Sequence, residues 1–132
     1  MLLVDTNVLV DVLQNEPQWA EWSIAQLRAQ SSLHALVINP VIYAEISLSF
    51  STLEALDDVL GTLALELREI PRPALFLAAK AYAQYRRRGG AKLQVLPDFF
   101  IGAHAAVEGW PLLTRDASRF RSYFPTLDVL AP

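Results

Sequence analysis

Short apolar segments alternate with helical segments along this 132-residue chain, and the alternation limits its fold more than any other feature. The apolar segments that we predict as strands cover residues 2–5, 35–38, 69–70, 112–114 and 127–130. Strands that are separated by helices pair in parallel, and the helices then cover the faces of the sheet. The sequence therefore predicts an α/β fold, with a central parallel sheet flanked by helices. The length suits a single domain, which we expect to span residues 1–132.

Capping residues indicate where the predicted helices begin. Thr6 and Asn7 can cap the first helix, and Asn39, which precedes a proline, is typical of an N-cap. Ser51 and Glu54 have the spacing of a capping box. The predicted helices cover residues 8–13, 17–30, 41–50, 53–63, 73–88 and 97–108, followed by a short helix or turn at 117–123.

The composition excludes several classes of protein. With 53% hydrophobic and 19% charged residues, the chain is too apolar to be disordered, and its mean hydropathy of +0.27 indicates apolar surface reserved for a partner. The absence of cysteine excludes disulfides, a zinc–thiolate site and a cysteine nucleophile. No apolar run has the length and freedom from charge of a membrane span, and the start lacks the basic region of a signal peptide. We therefore expect no membrane association and a cytoplasmic location.

Charge is distributed unevenly, although the net charge is only −3. Residues 1–69 carry 2 basic and 10 acidic side chains, whereas residues 70–132 carry 9 basic and 4 acidic ones. A basic surface over the whole molecule is excluded, but a local basic patch is allowed. The densest group, called the basic cluster below, consists of Arg86, Arg87, Arg88 and Lys92. It is either a contact for RNA phosphates or a solvated helix C-terminus, where the helix dipole favours positive charge.

Four acidic residues lie where a parallel sheet gathers ligands. Asp5 ends the first predicted strand, and Glu45 lies on the helix after the second. Asp98 lies in the first turn of a later helix, and Asp116 follows the strand at 112–114. The carboxyl ends of parallel strands and the adjacent helix starts share one edge of the sheet. We therefore expect these four residues, called the acidic cluster below, to converge on one cleft.

Converging carboxylates require a cation. Two carboxylates about 4 Å apart repel by roughly 4 kcal/mol at an effective dielectric constant of 20. A ligand set of oxygens alone favours Mg²⁺ or Mn²⁺ over zinc. Such an ion can activate a water molecule for attack on phosphorus and neutralise the phosphate oxygens. The acidic cluster thus predicts the hydrolysis of phosphodiester bonds.

Each acid also has a structural interpretation when it is considered alone. Asp5 can be a helix cap, Asp98 a first-turn residue favoured by the helix dipole, and Asp116 a turn residue. Glu45 lies among apolar residues, where a carboxylate without a partner is unusual. The presence of all four acids together favours a functional role over these separate structural interpretations. His104 faces another side of the helix from Asp98, and we expect a hydrogen-bonded packing residue rather than a metal ligand.

Four segments together resemble the PIN-domain family, and within it the VapC-type toxins of toxin–antitoxin pairs. They are DTNVLVD at 5–11, AEI at 44–46, PDFFIGAHA at 97–105 and LLTRDASRF at 112–120. The resemblance implies a three-layer fold and a metal-dependent endoribonuclease. It implies that Asp5, Glu45, Asp98 and Asp116 hold Mg²⁺, for which Mn²⁺ can substitute.

The resemblance also implies roles for neighbouring residues and partners. Asn7 would orient Asp5 or a water molecule, and Thr114 would support the fourth acid. Apart from the resemblance, Arg115, Arg119 and Arg121 have the same two interpretations as the basic cluster, and Arg115, beside Asp116, is the strongest candidate of the three for contact with RNA. The substrate would be RNA, often a structured one such as tRNA, cut to leave 5′-phosphate and 3′-hydroxyl ends. The partners would be a second copy of the chain in a homodimer and a cognate antitoxin that covers the active-site groove.

Two other classes of function stay open at the level of sequence. A receiver-type signalling domain shares the size, the α/β pattern and an acid after the first strand, but it requires an acid pair there and a lysine after a late strand. A catalytically inactive binding module would act only as the partner of an antitoxin. The four acids argue against that module, because mutually repelling carboxylates serve no purpose in an inactive site.

Overall fold

β1 (Leu2–Val4) lies at the centre of a five-stranded sheet whose strand order is β3-β2-β1-β4-β5. Every neighbouring pair of strands is parallel. The computed structural model describes all residues from Met1 to Pro132. The other strands are β2 (Leu36–Ile38), β3 (Leu65–Leu67), β4 (Leu112–Leu113) and β5 (Val129–Leu130). The predicted central parallel sheet is thus confirmed.

Seven α-helices connect the strands. They are α1 (Thr6–Leu13), α2 (Ala20–Ser31), α3 (Pro40–Ser47), α4 (Leu53–Thr62), α5 (Arg72–Arg87), α6 (Leu96–Glu108) and α7 (Ser118–Tyr123), with a 3₁₀ turn at Leu93–Val95. The first two crossovers run in one direction along the sheet and the last two in the other. Because such crossovers are right-handed, helices cover both faces of the sheet. This is the three-layer arrangement that was predicted. No helix combines the length and the apolar character needed to cross a bilayer.

The strand register fixes which residues meet at the carboxyl edge of the sheet. Val4 pairs with Leu113 across β1 and β4, and all residues of β1 are fully buried. Asp5 and Thr114, which follow these two residues, therefore lie side by side. The chain leaves β1 toward β2 on one side, while β4 lies on the other. The gap between β1 and β4 is thus the topological switch point, where open α/β sheets bind ligands.

Several predicted boundaries are wrong for local reasons. Asp5, rather than the Thr6-Asn7 pair, caps α1, because its side chain accepts a hydrogen bond from the Thr6 amide. Thr52, rather than Ser51, caps α4 by accepting from the amide of Ala55 at 3.1 Å. Asn39 caps α3 as predicted, by accepting from the Ile42 amide. Side-chain caps thus lie within one residue of their predicted positions.

Larger shifts affect one strand and two helices. The third strand covers Leu65–Leu67 rather than residues 69–70, because Ala64 takes a left-handed conformation (φ 55°) directly after α4 and turns the chain into the sheet. The second helix starts at Ala20 rather than at residue 17, since a turn precedes it in which Glu16 accepts from the Trp19 amide. The third helix ends at Ser47 instead of residue 50.

The α6–α7 contact depends on a glycine. A Cβ atom at Gly102 would lie 2.5 Å from the Phe124 ring and 3.0 Å from the Phe120 ring. The bare backbone of α6 thus lets both rings of the α7 region pack directly on it. Gly102 follows Asp98 by one helical turn, so this close approach brings α7 to the face of α6 that carries Asp98.

His104 is a packing residue, as predicted. It is fully buried, its Nδ1 lies 3.2 Å from Asn39 Nδ2, and its ring lies 5.1 Å from that of Trp110. Burial lowers the pKa of His104, so the ring is held neutral.

Candidate active site

Asp5 and Thr114 form the buried floor of the site. Both are buried at the carboxyl ends of the central strands. The Thr114 hydroxyl donates to Asp5 Oδ2 at 2.7 Å, and the Thr6 amide donates to Asp5 Oδ1 at 2.7 Å. Both carboxylate oxygens are therefore oriented by the backbone and by the neighbouring strand.

Glu45 joins the site through Thr6. The hydroxyl of Thr6 donates to Glu45 Oε1 at 2.6 Å, while the amide of the same residue binds Asp5. One residue thus fixes two of the four acids relative to each other. Glu45 is half-buried on α3, and its Oε2 makes no hydrogen bond. That oxygen is available to a ligand.

Asp98 forms an ion pair with an arginine of another helix. Arg119 Nη1, on α7, donates to Asp98 Oδ2 at 2.8 Å, and the two side chains are 30% and 33% exposed. The Arg119 guanidinium also lies 5.9 Å from the centre of the Tyr85 ring. Arg119 is the only basic residue that forms an ion pair with a member of the acidic cluster.

Asp116 lies at the rim of the site. Its amide donates to Thr114 Oγ1 at 3.2 Å, and its Oδ1 accepts from the Ser118 hydroxyl at 3.3 Å. Its side chain is exposed. Its charge nevertheless contributes, after burial, to the raised pKa of Asp98.

The electrostatics show that the acids act on one another. The pKa of Asp5 is raised to about 7, first by burial and then by the charges of Asp98 and Glu45. Burial and the charge of Asp98 raise the pKa of Glu45. Burial also raises the pKa of Asp98, and the Arg119 hydrogen bond and charge offset this only in part. The structure therefore brings the predicted residues together, and their negative charge is only partly neutralised.

The donor set fits a hard divalent cation in its chemistry, although the side chains are not closed around a point. No group of three or more acidic or histidine side chains is arranged to hold a metal ion as the chain stands. The fit rests on the oxygen-only donors, on their unneutralised charge and on the presence of the Arg119 guanidinium where a cation belongs.

Asn7 and Arg115 form a second set of contacts beside the cluster. Asn7 Nδ2 lies 3.4 Å from Thr114 Oγ1, and its Oδ1 accepts from the Arg115 amide at 3.1 Å. The guanidinium of Arg115 binds Asp11 and none of the four residues of the acidic cluster. Its Nε and Nη2 donate to the two oxygens of Asp11 at 2.9 and 3.1 Å, and Asp11 is only 1% exposed. These contacts favour a role for Arg115 in fixing the loop after β4.

The basic cluster lies beside the acidic one, and aromatic rings connect the two. Tyr85 and Tyr123 both pack on Phe99, the residue after Asp98. Arg88 lies 5.2 Å from the centre of the Tyr123 ring, and the Lys92 amide donates to the Tyr85 hydroxyl at 3.2 Å. The exposed end of α5 is therefore held next to the start of α6.

The sequence pattern missed three contributors to the site. Thr6 was predicted only as a cap, although it orients two acids. Arg119 was given less weight than Arg115, although it is the arginine that reaches Asp98. Asp11 was not singled out, although it is a buried carboxylate with an arginine partner. An apolar helix that carries a single aspartate, as α1 does, was the available signal for Asp11.

The acidic cluster is not enclosed in a cavity. None of the four cavities in the structure is lined by Asp5, Glu45, Asp98 or Asp116. A site that is not enclosed can accept a segment of a long polymer.

Comparison with known proteins gives the same fold. Residues 2–123 match the family model of the PIN domain. No curated protein sequence matches the chain. The structure is similar to VapBC2 from Rickettsia felis bound to a DNA fragment from its promoter, with a TM-score of 0.75 and 18% identity over 99% of this chain and 98% of that one.

Two further solved structures resemble the chain. VapBC-1 from nontypeable Haemophilus influenzae matches with a TM-score of 0.74 and 16% identity, over 98% of this chain and 96% of that one. A toxin–antitoxin complex from Klebsiella pneumoniae matches with a TM-score of 0.67 and 19% identity, over the same shares of the two chains.

The protein is thus an open α/β domain with acidic residues gathered at the switch point of its parallel sheet. The match over residues 2–123 then identifies the family, and the chain belongs to the PIN domain family.

Proposed function

We propose that this protein is a metal-dependent endoribonuclease that acts as the toxin of a toxin–antitoxin pair. The observation that carries the proposal is the convergence of Asp5, Glu45 and Asp98, from three separate elements, on one partly neutralised site. The family match and the toxin–antitoxin complexes of similar fold support it. The open site and the adjacent basic cluster suit a polyanionic polymer.

Asp5, Glu45, Asp98 and Asp116 would hold the divalent cation, Mg²⁺ or Mn²⁺. When bound, such an ion supplies an activated water molecule and neutralises charge on the phosphate. The protein's part is to keep the ligands in place. Thr114 and the Thr6 amide hold the two oxygens of Asp5, and the Thr6 hydroxyl holds Glu45.

Asp5 would also hold a proton, and basic residues would bind the phosphates. A pKa of about 7 lets Asp5 carry a proton near neutral pH, which it would have to release in order to act as a metal ligand. Arg86, Arg87, Arg88 and Lys92 would bind flanking phosphates and keep the RNA at the site despite the negative charge of the acids. Arg115 is a weaker candidate for RNA contact, since its guanidinium is engaged by Asp11.

An assay with purified protein tests the proposal. We expect cleavage of single-stranded and structured RNA, including tRNA, in Mg²⁺ or Mn²⁺, none in EDTA, and 5′-phosphate product ends. A DNA of the same sequence is the substrate control. Asp5→Asn and Asp98→Asn should lose cleavage by at least about 100-fold. Asp58→Asn, an exposed acid on α4, should keep wild-type activity. Robust cleavage by either site variant would contradict the proposal.

A cognate antitoxin is the proposed protein partner, and a homodimer is the proposed assembly. Exposed apolar side chains support a protein partner. Leu53 (60% exposed) lines a cleft of about 240 Å³ between α3 and α4, and Leu48, just after α3, is 90% exposed. The site of action would be the cytoplasm, which contains the RNA. Co-expression with the product of a neighbouring small reading frame should give a stable complex that suppresses cleavage.

The two other functions have less support. A receiver domain has the strand order 2-1-3-4-5, whereas β1 here lies between β2 and β4. Acetyl phosphate should therefore not label the protein. An inactive antitoxin-binding module would bind the same partner but would show no cleavage with any metal.

A further inference from the structure

Arg119 occupies an unusual position for a basic residue at a metal-dependent site. It donates to Asp98 Oδ2 at 2.8 Å, so the positive charge lies on a carboxylate that would be a metal ligand. A guanidinium and a divalent cation on one carboxylate would repel each other strongly at such short range. Arg119 and a metal ion therefore compete for Asp98.

The surroundings of Arg119 allow it to move. The Arg119–Asp98 pair is about one-third exposed, so neither partner is enclosed by the protein. The base of the side chain is fixed, because the adjacent Phe120 is buried against α6. The guanidinium also lies 5.9 Å from the Tyr85 ring centre, so the aromatic ring contributes to holding it beside Asp98 without enclosing it. A fixed base with a solvent-accessible head suits a side chain that exchanges partners.

A phosphate is the partner that would receive Arg119. A guanidinium binds phosphate through paired hydrogen bonds in the same way that it binds a carboxylate. The Arg88 guanidinium lies 5.2 Å from the centre of the Tyr123 ring, and Tyr123 packs on Phe99, as does the Tyr85 ring near Arg119. An RNA backbone that ran from the basic cluster to Asp98 would therefore pass Arg119.

We propose that Arg119 is a substrate-binding residue that rests on Asp98 and transfers to an RNA phosphate when a divalent cation takes its place. The inference rests on the proposed function and deepens it. Arg119 thus has opposite effects on the two ligands, since it opposes metal binding and promotes RNA binding.

Two binding measurements on the full chain test this, using Arg119→Met, which retains the length of the stem and removes the charge. Mn²⁺ affinity without RNA, measured by electron paramagnetic resonance, should become about 3- to 10-fold tighter. The affinity for a fluorescein-labelled single-stranded RNA, measured by anisotropy in Ca²⁺, should become at least about 3-fold weaker. Gel analysis verifies that the RNA stays intact.

Arg121→Met is the matched control, since Arg121 is exposed on the same helix and makes no ion pair. It should leave Mn²⁺ affinity unchanged. Arg119→Lys should retain part of the RNA affinity through its charge, and Arg119→Gln replaces the Met variant if that protein does not fold. Unchanged or weaker Mn²⁺ binding by the uncharged variants would overturn the competition, and unchanged RNA affinity would overturn the transfer to phosphate.

The failure of this inference is distinguishable from that of the proposed function. If the wild-type protein binds Mn²⁺ and RNA but cleaves neither RNA nor DNA, the nuclease is refuted while the opposite binding effects of Arg119 still stand. If the wild-type protein cleaves RNA and Arg119→Met changes neither affinity, the role of Arg119 is refuted and the nuclease stands.

Discussion

The hydroxyl of Thr114 donates a 2.7 Å hydrogen bond to the carboxylate of Asp5, although 109 positions separate the two residues. The parallel pairing of β1 with β4 makes this contact, since Val4 pairs with Leu113 and the next residues then adjoin. The bond joins the start of the chain to its last segments at the floor of the site. The stability of the fold and the charge state of Asp5 are therefore coupled.

Asp5→Asn should change how stability depends on pH. The pKa of Asp5 in the folded protein, about 7, lies above the ordinary value of 3.8, so the destabilising effect of its charge is absent below pH 4 and grows as pH rises toward 8. In EDTA at pH 8, Asp5→Asn should be more stable than the wild type by roughly 2–4 kcal/mol, and the difference should vanish near pH 4. Urea unfolding across this range measures it.

The comparison of the wild type with Asp5→Asn isolates the contribution of Asp5 to the pH dependence of stability. Glu45 and Asp98 have raised pKa values of the same sign, and His104 has a lowered pKa with the opposite effect on acid stability, but all three are present in both proteins. A stability difference that does not vary with pH would contradict the raised pKa of Asp5.

Divalent cations should stabilise the fold. An ion that binds only the native state at a hundredfold excess over its Kd stabilises by about 2.7 kcal/mol. Thermal melts in Mn²⁺ and in Mg²⁺ should therefore show a higher Tm for the wild type and a much smaller shift for Asp98→Asn. Asp58→Asn should shift like the wild type. A wild-type Tm that is indifferent to both ions would contradict the metal site.

Gly102→Ala should destabilise the protein. The new methyl group would overlap the Phe124 ring, which belongs to a packed aromatic cluster and has little room to move. We expect a loss of about 1–3 kcal/mol and a separation of α7 from α6. Gly61→Ala is the matched control, because nothing lies within 4 Å of its Cβ position on α4. It should stabilise by up to about 1 kcal/mol, as alanine favours helix. Equal effects at both sites would refute the close approach.

Arg115→Met should also destabilise, because it leaves the Asp11 carboxylate buried with Ser23 as its remaining hydrogen-bond donor. We expect a loss of about 2–4 kcal/mol in urea unfolding. The double variant Asp11→Asn/Arg115→Met should recover part of it, since an amide is easier to bury than a charge. If Arg115 served only to bind RNA, Arg115→Met would weaken RNA binding and leave stability unchanged.

The central sheet and the acidic cluster could be predicted because their signals are local. Each central strand is a short apolar run that ends at a polar residue, as β1 does at Asp5 and β2 at Asn39. The carboxyl-edge rule for parallel sheets then predicts that Asp5 adjoins the segment after β4, and Thr114 of that segment does contact Asp5.

The errors arose where local signals were ambiguous or tertiary contacts decided the outcome. The leucine-rich pattern of α4 continues into β3 with no polar segment between them, so periodicity could not locate the turn at Ala64. The partners of Arg115 and Arg119 lie 104 and 21 positions away, on other elements. Sequence adjacency assigned Arg115 to the site, whereas the packing of α7 on Gly102 brings Arg119 there.

The strand order has a consequence for synthesis of the chain. β1 leaves a ribosome before β2 and β3, yet β4, its neighbour in the sheet, leaves only after both of them. A nascent polypeptide that stops before residue 112 leaves one edge of β1 bare and lacks both Thr114 and Asp116. If the protein cuts RNA as proposed, a nascent copy that stops there cannot cut the RNA around it, because the cutting site assembles only after the segment beyond β4 has been made.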